Sequence, residues 1–257
     1  MATASDVIKI IHGMADVIGA NKEFLTDLDA AIGDSDHGIN MNRGFQAVLT
    51  KLPPVEDKDI GTILKTVGMG LLSTVGGASG PLYGTAFIKA SMKGAGKTEI
   101  GMEGFLAMLK DAIDGIMYRG KSHQGEKTML DAMIPAYEAM DAAVKADQSP
   151  KAALAAGVAA AEKGVEYTKT IIATKGRASY LGERSMGHQD PGATSFTLLL
   201  KVIAARLPLD SLYHDLSDDA TVDTATEEME EIRRRLEQMG VDCSFLNTHQ
   251  ENGEKTR

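Results

Sequence analysis

The sequence predicts an all-α fold, with about eight or nine helices in the main body of the chain. Apolar residues recur three or four positions apart through most of the length, the spacing that keeps them on one face of a helix. Alternation over the length of a strand is missing, and so are strand pairs around Asn-Gly or Asp-Gly turns. Aromatic residues make up only 5% of the chain, with no Trp and 14 Met, so the core must be largely aliphatic, which suits close helix packing.

Six segments carry the helical pattern. In chain order they are residues 7–18, 60–71, 102–116, 129–144, an alanine-rich stretch at 152–172, and residues 195–207. Four glycine-rich segments interrupt the pattern: residues 33–38, 76–81, 120–125 and 176–192. Because glycine lets the backbone approach a ligand closely, we expect these loops to meet at one end of a helix bundle and to carry the function.

The chain divides into a main domain at residues 1–207 and an acidic C-terminal extension at residues 208–257. The extension holds 13 acidic and 5 basic residues, which accounts for most of the net charge of −9. Thr224 and Glu227 form a capping-box pattern before an apolar stripe, which predicts one amphipathic helix. The polar residues 248–257 predict a disordered end.

Composition excludes several classes of function. Neither part of the chain has the basic surface of a nucleic-acid-binding protein. A single cysteine, Cys243, rules out an intramolecular disulfide and favours a reducing compartment. No signal peptide and no apolar run long enough to cross a bilayer is evident, so the sequence predicts a cytoplasmic protein without membrane attachment.

Three acidic residues, Asp29, Asp34 and Asp36, crowd one short stretch beside glycine, histidine and apolar residues. Such a stretch is often a plain turn in which aspartate caps the next helix. Carboxylates packed together repel one another unless a cation holds them, and Mg²⁺ prefers oxygen ligands of this kind. A calcium loop of the EF-hand type is excluded, because Ile39 and Phe45 occupy the positions that need glycine and an acid.

Phosphate could bind at two of the glycine-rich segments. Residues 76–81 precede the apolar run 82–88 and could place the N–H groups of a helix start against phosphate. The segment 176–195 is long and irregular, and its Arg177 and Arg184 could bind phosphate oxygens. Residues 91–98 imitate a P-loop, but Ser91 stands where the pattern requires glycine, so we predict a solvent-exposed loop there.

These segments together resemble the nucleotide-binding L subunits of dihydroxyacetone kinases. The metal motif of that family, Gly-Asp-x-Asp-His-Gly-x-Asn-Met, matches residues 33–41. Residues 76–84, Gly120 with residues 127–129, and residues 176–195 match its other blocks in order, so the likeness covers roughly residues 5–207. The resemblance implies a closed barrel of about eight antiparallel amphipathic helices with a nucleotide at one end.

The resemblance also implies roles for individual residues. Asp29, Asp34 and Asp36 would hold two Mg²⁺ ions that bridge the phosphates of ADP or ATP. Arg177 would be the catalytic residue, offsetting charge on the transferred phosphoryl group. The residues implied to bind the nucleotide are His37, Asn40, Met41, Ala78, Ser79, Gly120, Thr128, Met129, Arg177, Asp190 and Gly192, with Pro191 between the last two.

The activity that the resemblance implies is a phosphotransferase active only with partner subunits. A phosphohistidine protein of M type in the phosphotransferase system would phosphorylate bound ADP, and dihydroxyacetone would receive the group while held on a separate K subunit. A homodimer or hetero-oligomer is expected. Three alternatives remain open: an ATP-exchanging kinase subunit for another short ketose or sugar alcohol, a nucleotide-loaded regulator of a transcription factor, and a Mg²⁺-dependent phosphohydrolase.

Overall fold

The structure is a computed structural model that describes residues 1–207 together with Arg234. Within them it contains nine α-helices and two very short strands. The helices are α1 (Ala4–Ala20), α2 (Lys22–Ile32), α3 (His37–Leu49), α4 (Ile60–Thr74), α5 (Ser79–Gly94), α6 (Met102–Gly120), α7 (Leu130–Lys145), α8 (Pro150–Thr168) and α9 (Pro191–Arg206). Strand β1 (Ala2–Thr3) pairs antiparallel with β2 (Glu99–Ile100), and 3₁₀ helices span Pro53–Val55 and Arg177–Ser185.

Polar side chains fix where several helices begin. Thr3 and Asp6 form a capping box at the start of α1, and Asp59 caps α4 by accepting the N–H of Thr62 at 3.1 Å. Helices α8 and α9 each begin with proline directly after a capping residue, Ser149 and Asp190. Helix α4 begins where its predicted apolar segment begins, at Ile60, whereas α1, α8 and α9 begin two to four residues before theirs.

The helices pack in a closed circuit. Helix α1 contacts α3, the helices from α3 to α9 contact one another in chain order, and α9 contacts α1 again. Helix α2 lies outside this circuit, against α3 and α9. The circuit surrounds one continuous apolar core, in which Ile11, Phe45 and Leu71 are 0–1% exposed. An apolar cavity of about 400 Å³ lies within it.

The predicted all-helical class is confirmed, and the circuit of pairings is compatible with the closed barrel. Helices α2 and α3 were not foreseen as separate elements. Only Leu25, Asp29 and Ile32 of the eleven residues in α2 are buried, and four of the seven buried residues of α3 are glycine, histidine or asparagine, so neither helix shows a clear apolar stripe. Residues 91–94 belong to the last turn of α5, with Ser91 only 6% exposed, so the predicted loop begins at Ala95. The predicted barrel extension at residues 208–257, its amphipathic helix and its disordered end lie outside the described residues. In the part of the chain described, no helix is long and apolar enough to cross a membrane.

Candidate functional site

The structure brings the three predicted metal ligands together. Asp29 lies near the end of α2, Asp34 in the turn that follows, and Asp36 immediately before α3. One carboxylate oxygen from each can be chosen so that all three lie within 4.8 Å of one another. We call these three residues the carboxylate cluster.

Asp29 is anchored at the start of α3. Its Oδ2 accepts the backbone N–H of Asp36 at 2.9 Å and that of His37 at 3.1 Å. Gly33 crosses the same carboxylate so closely that a Cβ at this position would lie 2.0 Å from Asp29 Oδ1. The capping turn and the metal site are therefore compatible interpretations of the sequence. Asp29 accepts N–H groups at the start of a helix, and its carboxylate also faces the carboxylates of Asp34 and Asp36.

The donor set of the carboxylate cluster fits a hard divalent cation. Its three side chains supply only oxygen, the ligand type that Mg²⁺ prefers, and Asp29 is held in place by the backbone. Arg177 approaches the cluster from the 3₁₀ segment, with its Nε 2.6 Å from Asp34 Oδ2. The predicted catalytic arginine and the predicted metal ligands thus share one site.

Three helix starts meet beside the carboxylate cluster. His37 begins α3, Ser79 begins α5, and Ser195 lies in the first turns of α9. His37 joins them, because its Nδ1 lies 2.9 Å from Ser79 Oγ and its Nε2 lies 2.9 Å from Ser195 Oγ. Burial lowers the pKa of His37, while the charges of Asp29 and Asp36 act in the opposite direction. Helix N-termini carry unpaired N–H groups and partial positive charge, so this arrangement favours an anion such as phosphate.

Other residues predicted to bind the nucleotide lie against the same loops. Asn40 packs beside Gly76, where an added Cβ would be 3.2 Å from its Nδ2. An added Cβ on Gly192 would be 3.4 Å from the Cβ of Met129, and one on Gly120 would be 3.4 Å from Leu82 of α5. The expected meeting of glycine-rich segments is present where His37 contacts Ser79 and where Arg177 contacts Asp34, which joins residues 33–38 to residues 76–81 and 176–192. Residues 120–125 approach through Gly120, which lies beside Leu82, directly after residues 76–81.

Four predicted residues have mainly structural contacts. Asp190 caps α9 through Ala193 N–H at 2.7 Å, and burial raises its pKa to about 7. Thr128 donates its backbone N–H to Asp131 at 2.8 Å, and Ala78 is the residue before α5. Met41 is 0% exposed within the apolar core. Their part in nucleotide binding stays a prediction.

Sequence reasoning missed several polar residues that hold the site together. Ser195, Tyr83, Lys127 and Asp131 are nearly or fully buried and make the hydrogen bonds that join its loops. One signal was available, because Tyr83 follows Ser79 by four positions and so lies on the same face of α5. No such signal exists for the contact between His37 and Ser195, which are 158 positions apart.

Comparison with known proteins places these observations in a family. The model of the DAK2 domain matches residues 31–205. The ADP-binding subunit DhaL of the PEP-dependent dihydroxyacetone kinase of Escherichia coli (strain K12) is 46% identical over 200 residues, which cover 78% of this chain and 95% of that protein. The ADP-binding subunit DhaL of the PTS-dependent dihydroxyacetone kinase of Lactococcus lactis subsp. lactis (strain IL1403) is 40% identical over 208 residues, 79% of this chain and 100% of that protein.

A solved structure shares the fold. The native dihydroxyacetone kinase of C. freundii superimposes with a TM-score of 0.60 at 24% identity, over 76% of this chain and 33% of that one. The crystal structure of the same kinase in complex with AMP-PNP and Mg²⁺ gives a TM-score of 0.57 over the same shares. The described chain thus corresponds in fold to about a third of that larger protein.

Proposed function

Because the chain belongs to the DAK2 domain family, we propose that it is the ADP-binding and Mg²⁺-binding subunit of a dihydroxyacetone kinase. The observation that carries the proposal is the junction of the carboxylate cluster with three helix starts, which offers oxygen ligands to a cation next to N–H donors for phosphate. Relatives that align over 95% and 100% of their own length are named as such subunits, at 46% and 40% identity. The activity is that of a phosphotransferase which works only with its partner subunits.

The residues of this chain bind and orient the phosphates. Asp29, Asp34 and Asp36 would hold Mg²⁺, which when bound neutralises charge on the phosphate oxygens. The N-termini of α3 and α5 donate backbone N–H groups to the anion, and Arg177 binds the oxygens of the transferred group by charge-assisted hydrogen bonds. In this proposal the site residues bind and position the phosphoryl donor, while the acceptor lies on another protein.

The phosphoryl group would reach the ketose in two transfers. In the first, a phosphohistidine of an M-type protein loses its phosphoryl group to a β-phosphate oxygen of bound ADP. In the second, the γ-phosphoryl group of the resulting ATP passes to a hydroxyl of dihydroxyacetone on a K subunit, and ADP stays bound. Support comes from the names of the relatives, which are PEP-dependent and PTS-dependent kinases. Two Mg²⁺ ions, a cytoplasmic location and a hetero-oligomer with the K subunit complete the proposal.

The test is the nucleotide that the protein retains. Freshly purified, gel-filtered full-length protein is denatured, and the released nucleotide is identified and counted per chain by chromatography. We expect close to one ADP per chain, because a coenzyme that is recharged in place must dissociate slowly. Asp36→Ala should lose most of the ADP, since it removes one oxygen ligand but leaves the backbone N–H that Asp29 accepts.

A matched control distinguishes the loss of a metal ligand from the loss of any negative charge. Asp27→Ala removes an exposed carboxylate from the same helix α2 and should retain ADP like the unmodified chain. Retention of ADP by Asp36→Ala would contradict the metal assignment. Absence of nucleotide from the unmodified protein, together with rapid exchange of added ATP, would favour the ATP-exchanging kinase. Phosphate release from ATP by the isolated chain would favour the phosphohydrolase.

A further inference from the structure

Ser195, which the nucleotide assignment does not include, stands at the centre of a group of polar side chains. Its hydroxyl lies 2.9 Å from His37 Nε2, 2.7 Å from the Tyr83 hydroxyl and 3.1 Å from the carbonyl oxygen of Gly192. The other ring nitrogen of His37 contacts Ser79 at 2.9 Å. Ser195 is 0% exposed and Tyr83 is 3% exposed, so water has little access to these contacts. We call these groups the Ser195 cluster.

The cluster fixes the ring of His37 on both sides. Each ring nitrogen has a hydroxyl partner at 2.9 Å, so turning the ring over would replace both nitrogens by carbon and lose both hydrogen bonds. The only choice left to a neutral ring is which nitrogen carries the hydrogen. That choice decides what the hydroxyl of Ser79 does.

Hydrogen counting allows two arrangements. In the first, His37 donates from Nε2 to Ser195, Ser195 donates to the Gly192 carbonyl, and Ser79 must donate to Nδ1. In the second, Ser195 donates to Nε2, and His37 donates from Nδ1 to Ser79. Tyr83 can donate to Ser195 in both, because its other acceptor, the Gly192 carbonyl, is 3.5 Å away. Every group carries the same number of hydrogens in each, so no charge changes.

The two arrangements differ at the ligand side of the site. In the first, the single hydrogen of Ser79 is used on His37, and only lone pairs face outward. In the second, that hydrogen is available to an acceptor at the start of α5, where helix N–H groups also point. Phosphate oxygens only accept hydrogen bonds, so a bound anion selects the second arrangement.

We propose that Ser195, held by Tyr83, is a positioning residue that orients His37 and directs the hydroxyl of Ser79 towards the phosphate of the bound nucleotide. The inference deepens the proposed function and rests on it, because it takes Ser79 as a residue that faces phosphate. Ser195 and Tyr83 touch no ligand themselves. They act through the ring of His37.

The test measures the hydrogen on each ring nitrogen directly. Full-length protein with ¹⁵N-labelled histidine is examined by long-range ¹H–¹⁵N correlation spectroscopy, and the His37 signals are assigned by their loss in His37→Gln. Once bound nucleotide has been removed, addition of Mg²⁺ and ADP should move the hydrogen of His37 to Nδ1. This measurement needs no variant of Ser195, so it stands even where a substitution disturbs folding.

Variants then test Ser195 itself. Ser195→Ala removes the donor to Nε2, so His37 should no longer settle on Nδ1–H when ADP is added. The affinity for Mg²⁺·ADP should fall roughly five- to tenfold, the effect of one buried hydrogen bond. Tyr83→Phe keeps Ser195 and leaves an apolar side chain at the wall of the apolar cavity, so its loss of affinity should be about two- to threefold.

The matched control is Thr197→Val. Thr197 is also buried on α9, but its hydroxyl donates to the carbonyl oxygen of Ala193 in its own helix. Its loss should change neither the His37 signals nor the affinity for ADP. Two results overturn the inference: His37 that keeps its hydrogen on Nε2 when ADP is bound, or Ser195→Ala that behaves like Thr197→Val. Failure of the unmodified protein to bind ADP in calorimetry, after any bound nucleotide has been removed, would instead overturn the proposed function.

Discussion

Arg177 pairs with one of the predicted metal ligands. Its Nε lies 2.6 Å from Asp34 Oδ2, and both side chains reach solvent, at 65% and 37% exposure. The guanidinium therefore binds a carboxylate that a metal cation in the cluster would also need as a ligand. An exposed ion pair of this kind contributes only about 0.2–1 kcal/mol, so a divalent ion can displace it.

Arg177→Ala should change two affinities in opposite directions. Without nucleotide, the variant should bind Mn²⁺ about two- to fivefold more tightly at low salt, because Asp34 is released from its competitor. With ADP present, its affinity for the nucleotide should fall roughly tenfold or more, because a charge-assisted hydrogen bond to phosphate is lost. Isothermal calorimetry measures both.

Arg184→Ala is the control for the metal measurement. Arg184 lies in the same 3₁₀ segment and is exposed, so its loss changes the net charge equally while Asp34 keeps its partner. An equal increase in Mn²⁺ affinity in both variants would show that net charge, and not the ion pair with Asp34, controls the metal affinity.

At the scale of elements, one buried lysine connects the loops that border the site. Lys127 is 1% exposed, and its ammonium donates to the carbonyl oxygens of Thr168 and His188, with that of Ile171 at 3.5 Å. Burial lowers the pKa of Lys127, against the opposing charges of Asp190 and Asp131. The end of α8, the turn before α9 and the turn before α7 are thereby held at one point.

Lys127→Met should destabilise the fold by about 2–4 kcal/mol, because the carbonyl groups lose their donor while buried. Urea unfolding measures the free energy, and hydrogen exchange should rise at the amide of Gly187, which donates to Lys169 at the end of α8. Lys151→Met on the exposed face of α8 should change stability by less than about 0.5 kcal/mol. Equal effects of the two substitutions would contradict the structural role of Lys127.

Asp190 gives helix α9 a pH-dependent start. Burial raises the pKa of its carboxyl to about 7, supported by Asp131 and opposed by Lys127 and the N–H of Ala193. In the folded chain the group is thus protonated at pH values where the unfolded chain has it ionised. Its contribution to stability is complete below the ordinary pKa of aspartate and is lost as pH rises to about 7.

Asp190→Asn keeps a side-chain oxygen for Ala193 but cannot ionise. The difference in free energy of unfolding between this variant and the unmodified chain should therefore shift in favour of the variant by about 1–3 kcal/mol from pH 5 to pH 8, as measured by urea unfolding. Asp59→Asn is the matched control, since Asp59 also caps a helix but hydrogen bonding lowers its pKa. That variant should show no such change over the same range. If the difference in free energy of unfolding between Asp190→Asn and the unmodified chain stayed constant over this range, Asp190 would be ionised in the folded chain throughout.

At the scale of the whole molecule, the sequence predicted the features that follow from apolar periodicity and from residues close together in the chain. The long apolar stripes of α1, α4, α6 and α7 were visible, and the acidic residues of the carboxylate cluster were recognisable by type and spacing. Helix α2 was not, because too few of its residues are buried to give a stripe. The Ser195 cluster could not be predicted either, because its members come from three helices and meet only when the circuit closes.

That circuit is complete within the described residues, since α9 packs back against α1. Removal of residues 208–257 should therefore leave the melting temperature within about 3 °C and the affinity for Mg²⁺·ADP within about twofold. Differential scanning calorimetry and titration with ADP measure the two quantities on the full chain and on a chain that ends at residue 207.

The control for that truncation is a chain that ends at residue 190. It lacks α9, which closes the circuit and carries Ser195, so it should show neither a cooperative transition nor ADP binding. The sequence match to the relatives agrees with the longer boundary, because the DAK2 domain model ends at residue 205. A tenfold loss of ADP affinity in the chain that ends at residue 207 would show that the extension contributes to the site. In that case the circuit of helices, although closed in itself, would not be sufficient to bind the nucleotide.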